Sequence, residues 1–409
     1  MTSFGAHSAF RLAAHTLHGW KLFGVLLVGA LAACGGGSDS SVSQPQDAPL
    51  SAAAALGEKI FKDTSLSASR QQACSSCHDP ANAHSPTNAL AAQLGGPAMD
   101  QQGLRQAPSI RYLSFNTAFF FDGEGTPTGG FFWDGRAASL AQQASEPFLN
   151  PREMANAGKG DVVAQLSLAS YAAEFKQLYG SNVLDDVDGA FQRMTLALQQ
   201  YQKEDAEFRG FTSKYDNFLL GKAQLTAQEM RGLALFNSPT KGNCAGCHPS
   251  SRGADGALPL FTDFTYDNLG VPRNIDLQAN NDPAYFDLGL CARPSGDMAS
   301  HTDLCGAFKV PSLRNVAKRH VFFHNGRFKT LKDALTFYVQ RDTNPEKFYS
   351  LNPDNTVNKF DDLPSKYHGN VNTTEVPYNR RPGDAPALSD SEIDDVIVFL
   401  NTLSDGYTP

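Results

Sequence analysis

"CSSCH" (Cys74–His78) and "CAGCH" (Cys244–His248) decide how this 409-residue chain folds. Each is a C-x-x-C-H, the pattern to which a c-type heme is attached. The chemistry sets the spacing. Two thiols add to the two vinyl groups of one porphyrin, and the adjacent imidazole reaches the iron. A lone C-x-x-C would also suit a redox pair or half a zinc site; two copies, each followed by His, point to two covalent hemes. Each copy follows a similar lead-in at the end of a helical pattern, "GEKIF" (Gly57–Phe61) and "GLALF" (Gly232–Phe236). The second pattern opens with the capping box Thr226-x-x-Glu229. Further on, "APSIRYLS" (Ala107–Ser114) matches "VPSLRNVA" (Val310–Ala317), and "FFWDGRAASL" (Phe131–Leu140) matches "FFHNGRFKTL" (Phe322–Leu331). The chain is therefore an internal duplication of one heme-binding unit.

Helical periodicity is also expected over about 161–179 and 188–203, and over "SDSEIDDVIVFLNTLS" (Ser389–Ser404), capped by Ser389 and Glu392. Strand signals are few. Residues 249–307, rich in Asp, Asn, Gly and Pro, read as loop. The fold class expected is mainly α, with long irregular connections.

At 41% hydrophobic and 19% charged residues the chain has ample material for a core. A net charge of −8 lacks the basic footprint of a nucleic-acid binder. Near the N-terminus Arg11 and Lys21 precede an apolar run, Leu22–Ala33, too short to span a bilayer. It meets "LAAC" (Leu31–Cys34), which resembles the bacterial lipoprotein processing box. The expectation is a signal peptide over 1–33, lipidation of Cys34, a Gly/Ser-rich tether over 34–50, and a body held in the periplasm by a lipid anchor. Cys291 and Cys305, left over in an oxidising compartment, are expected to form a disulfide.

The second axial position of a heme iron decides its chemistry, because a filled site favours electron transfer and an open one can activate a small molecule. After Cys247 the chain has a single Met, Met298. Tyr338 lies fourteen residues beyond His324; fourteen residues beyond Trp133, the repeat partner of His324, lies Pro147. Proline offers iron no donor. If that register places the sixth ligand, one iron is closed and the other open. Near Pro147 lie Gln143, able to hydrogen-bond a bound oxygen, and Glu153, able to move a proton between the two oxygens of peroxide. On pattern alone the plainer readings prevail: Tyr338 is a core aromatic on an amphipathic helix, and Glu153 a surface residue after Pro151.

These motifs, with "NPREM" (Asn150–Met154) and "LTAQEMRGLALF" (Leu225–Phe236), resemble the bacterial diheme cytochrome c peroxidases and their relative MauG over about residues 56–403. The resemblance implies two tandem class I cytochrome c-like heme domains, an N-terminal peroxidatic one at 51–212 and a C-terminal electron-transfer one at 213–409. It implies His78 and His248 as proximal ligands, Gln143, Pro147 and Glu153 in the peroxidatic pocket, and Trp133 between the hemes. It places Tyr338 where most members carry a Met, as in MauG; a phenolate would favour oxidised iron. Most members also block the peroxidatic iron with a His on a loop; here that region holds Ala98 and Met99, with His84 upstream. Calcium between the domains is expected from Gln106, which replaces the family's Asn, and from the carbonyls of Arg319 and Val321. The implied activity is reduction of hydrogen peroxide to water through a high-valent diheme state, fed by a small cytochrome c or cupredoxin. The alternatives are a MauG-like oxidase acting on a protein substrate and a non-enzymatic diheme carrier. By analogy the chain would be a homodimer.

Overall fold

Two helix crossings, one in each half of the chain, carry the architecture. In the computed structural model, which describes residues 49–408, α1 (Ala52–Lys62) is followed by the single turn α2 (Cys74–Cys77). Then come α3 (Leu140–Leu149), α4 (Lys159–Leu168), α5 (Ala172–Tyr179) and α6 (Val187–Glu204). The second half contributes α7 (Lys214–Leu219), α8 (Ala227–Asn237), α9 (Leu331–Gln340) and α10 (Asp390–Asn401). The expected signal segment, Cys34 and the tether up to residue 48 lie outside the described residues.

The first crossing packs α1 on α6, and the second packs α8 on α10. Both depend on a glycine in the repeated lead-in. A Cβ on Gly57 would lie 2.1 Å from the Ala197 carbonyl oxygen, and one on Gly232 would lie 2.1 Å from that of Asp395. Only a residue without a side chain lets the helices approach so closely. Around the crossings sit two separate cores. One gathers Leu56, Ile60, Phe61, Phe148, Phe175, Met194 and Tyr201. The other gathers Phe236, Phe261, Phe337, Ile393, Val396 and Phe399. The capping boxes read at Thr226/Glu229 and Ser389/Glu392 form, each satisfying otherwise orphaned helix N–H groups.

The periodicity over 161–179 resolves into two helices, not one. Ala169 is extended (φ −66°, ψ 148°) and separates α4 from α5. In a continuous helix Tyr171 would point about 140° away from Leu166. The break turns Leu166, Tyr171 and Phe175 into the same core, where the Tyr171 hydroxyl donates to Asp63 at 2.7 Å.

β structure is confined, among the described residues, to three two-stranded antiparallel ladders of two residues per strand and a few isolated bridges. Residues 249–307 are mostly loop, and the Cys291–Cys305 disulfide is formed. Met298 packs on Leu290 and Ala307 and lines neither of the two cavities that the C-x-x-C-H motifs face. Among the described residues no helix is long and apolar enough to cross a membrane.

Candidate functional site

Cys74 and Cys77 stand three residues apart on the one-turn α2, which puts both thiols on one face. The next residue, His78, is held from behind: its Nδ1 lies 3.3 Å from the His84 carbonyl oxygen. A carbonyl can only accept, so Nδ1 carries the proton and Nε2 is left as the donor to a metal. The C-terminal half repeats this, with His248 Nδ1 donating to the Phe261 carbonyl at 2.8 Å. All four motif cysteines are unpaired and line cavities. Paired thiols and an imidazole of fixed tautomer at each cavity are what covalent heme needs.

The N-terminal cavity is lined by Cys74, Cys77 and His78 and also by Trp133, Gln143, Pro147 and Glu153. Gln143 and Pro147 are one turn apart on α3, hence on one face. Among the described residues the Gln143 side chain has no hydrogen-bond partner, leaving its amide free for a guest. Glu153 follows the turn after α3 and receives the Asn150 amide at 2.8 Å. Burial pushes its carboxyl up to about 7, with Glu146 adding to the rise and Arg136 and Asn150 opposing it. A carboxyl poised near neutrality can both take and return a proton.

The C-terminal cavity is lined by Cys244, Cys247, His248 and Tyr338. Tyr338 is the eighth residue of α9, as Pro147 is of α3, so the register read from the repeat is the register of two equivalent helices. Its ring lies between Phe323 and Tyr378, and among the described residues its hydroxyl has no hydrogen-bond partner.

Trp133 lines both cavities. Its indole N–H donates to the Gln106 carbonyl at 2.8 Å, and the Gln106 N–H donates to the carbonyl of His324, the repeat partner of Trp133, at 2.7 Å. Ala98 is exposed, and neither it nor Met99 lines the N-terminal cavity. The fully buried ring of His84 packs on Phe208 and Phe61. What it offers the site is its carbonyl, behind His78.

The expected calcium donors do not fit a divalent ion. The Gln106 side-chain oxygen accepts from the Arg319 guanidinium, and Arg319 Nε points at the Val321 carbonyl at 3.5 Å. A cation already faces two of the three expected oxygens.

Sequence reading missed the charged frame around the N-terminal cavity. Arg136 binds Asp134 at 2.9 Å and Glu146 at 2.7 Å. Arg105 bridges Asp134 at 2.7 Å and Asp287 at 2.6 Å, and Asp287 lines both cavities. The recurrence of Arg136 as Arg327 in the repeat was a usable signal; Asp287, inside the long loop, carried none.

Comparison with known proteins bears on the family and the fold. The family model described as di-haem cytochrome c peroxidase matches residues 51–224. The methylamine utilization protein MauG of Paracoccus denitrificans is 35% identical over 89% of this chain and 90% of its own length. Cytochrome c551 peroxidase of Nitrosomonas europaea is 30% identical over 71% of this chain and 73% of its own. The crystal structure of the diheme peroxidase BthA from Burkholderia thailandensis superposes with a TM-score of 0.80 at 40% identity, covering 88% of this chain and 87% of that one. The chain therefore belongs to the diheme cytochrome c peroxidase and MauG family of oxidoreductases, whose membership implies two c-type hemes.

Proposed function

We propose that the protein reduces hydrogen peroxide to water in the N-terminal cavity, using two electrons delivered one at a time by a small cytochrome c or cupredoxin. The balance is one peroxide, two electrons and two protons giving two waters. The observation that carries this reading is an asymmetry between equivalent helices. Position eight of α3 is a proline facing a cavity with a free amide and a near-neutral carboxyl, while position eight of α9 is a tyrosine.

The hemes, when bound, supply the iron that takes peroxide and the store for electrons. Cys74, Cys77 and His78 would hold one; Cys244, Cys247, His248 and Tyr338 would hold the other. Gln143 hydrogen-bonds the guest oxygen. Glu153 takes the proton from the near oxygen and returns it to the far one, so that water, not hydroxide, leaves as the O–O bond breaks. Trp133, buried and lining both cavities, is the bridge for electrons between them.

A second reading, a MauG-like oxidase that withdraws electrons from a protein substrate, is favoured by Tyr338 and by the 35% identity to MauG. Steady-state turnover separates the two. Sustained oxidation of a reduced small cytochrome c by peroxide supports the peroxidase; fast peroxide consumption without donor turnover contradicts it. The formed disulfide and the heme-attachment cysteines support an extracytoplasmic location, with anchoring through Cys34 as part of the proposal.

A further inference from the structure

Gln106 is the node where the two halves meet. Its carbonyl holds Trp133 and its N–H holds the carbonyl of His324. Its side-chain nitrogen donates to the Ala107 carbonyl, and its side-chain oxygen accepts from Arg319. Gln106 is 2% exposed, so each of these groups would be costly to leave unpaired. Arg319 lines the C-terminal cavity and is itself deeply placed; burial pushes its guanidinium down to about 10, and no carboxylate is close enough to oppose the shift. Its partners are neutral oxygens, as they would be for a metal ion held by an amide and two carbonyls.

A calcium ion needs about six to eight oxygens at roughly 2.3–2.6 Å. Here the Gln106 oxygen is taken and the Val321 carbonyl faces the same guanidinium. Adding a divalent ion would set like charges side by side with no acid between them. We infer that Arg319 is a tethered cation that replaces calcium at the junction of the halves. It fixes Gln106, and through Gln106 the indole of Trp133, and it leaves a single positive charge beside the path between the cavities. Arg319 is thus a positioning residue whose charge no chelator can remove. The inference is independent of whether peroxide or a protein is the substrate.

The test uses the purified diheme protein, exposed to calcium chloride and desalted. Elemental analysis is expected to find less than about 0.1 calcium per chain, and EGTA to leave Tm and the heme absorption unchanged. Arg319→Gln is expected to lower Tm by about 5 °C and to move the midpoint potentials. Arg319→Lys, which keeps the charge without the fork, is expected to lose less. About one calcium per chain, with Tm falling when EGTA removes it, would overturn the inference. So would an Arg319→Gln protein with wild-type Tm and potentials, or equal losses in the Gln and Lys variants. If neither variant folds, the calcium content of the wild-type protein decides alone.

Discussion

The two cavities are built on one frame and differ where chemistry is chosen. Ser109 and Ser312 each donate to the carbonyl one residue before the one that holds the motif His, those of Ala83 and Leu260. Tyr112 and Asn315 share a positive φ, as do Phe132 and Phe323, and Gly135 and Gly326. Ser139 and Thr330 cap α3 and α9 alike. Against that shared backbone, Trp133 stands opposite His324 and Pro147 opposite Tyr338. On the proposed reading the frame holds two hemes at equivalent addresses, and single side chains decide which iron meets substrate. Placing a proline inside α3 costs helix stability, about 3 kcal/mol in an isolated helix interior. That cost secures a position with no donor for iron.

Glu153 is where the two halves should differ most, because the repeat register sets Asn344 opposite it. Glu153→Gln keeps the shape and removes the proton carrier; kcat/KM for peroxide is expected to fall about a hundred- to ten-thousandfold in stopped-flow or steady-state assays. An unchanged rate would move acid–base work elsewhere. The pH profile sharpens the same point. Glu153 must be ionised to take a proton from peroxide, and its carboxyl is raised to about 7 by burial and Glu146 against the pull of Arg136 and Asn150. The rate should therefore climb about tenfold per pH unit below 7, level off above it, and lose that inflection in Glu153→Gln. A smaller effect tests the shared frame. Gly57→Ala and Gly232→Ala should each cost about 2 kcal/mol in denaturant unfolding, because a methyl meets a helix backbone in both crossings. A large loss in one half only would mean that the crossings are not equivalent.

Much of this was legible in the sequence because it is local or periodic. The two C-x-x-C-H motifs that line the cavities, the caps at Thr226 and Ser389 and the disulfide are of this kind, and repeat spacing alone aligned Pro147 with Tyr338. What escaped depends on distant residues meeting. Glu153 was named through the family resemblance, but on residue pattern alone it reads as a surface residue after Pro151, because only the assembled cavity wall buries it. The break at Ala169 is invisible to a periodicity scan that tolerates one off-phase residue. Gln106 and Arg319, more than 200 positions apart, could be placed together through the family resemblance, yet the sequence could not say that the Arg319 side chain, not an ion, would face the Gln106 oxygen.

Electron paramagnetic resonance of the fully oxidised protein, with and without Tyr338→Phe, asks whether one iron is open and the other closed by Tyr338. One high-spin and one low-spin ferric heme in equal amounts are expected, with the low-spin signal converting to high-spin in the variant. Two low-spin hemes in the wild-type protein, or a low-spin signal that survives Tyr338→Phe, would contradict that expectation.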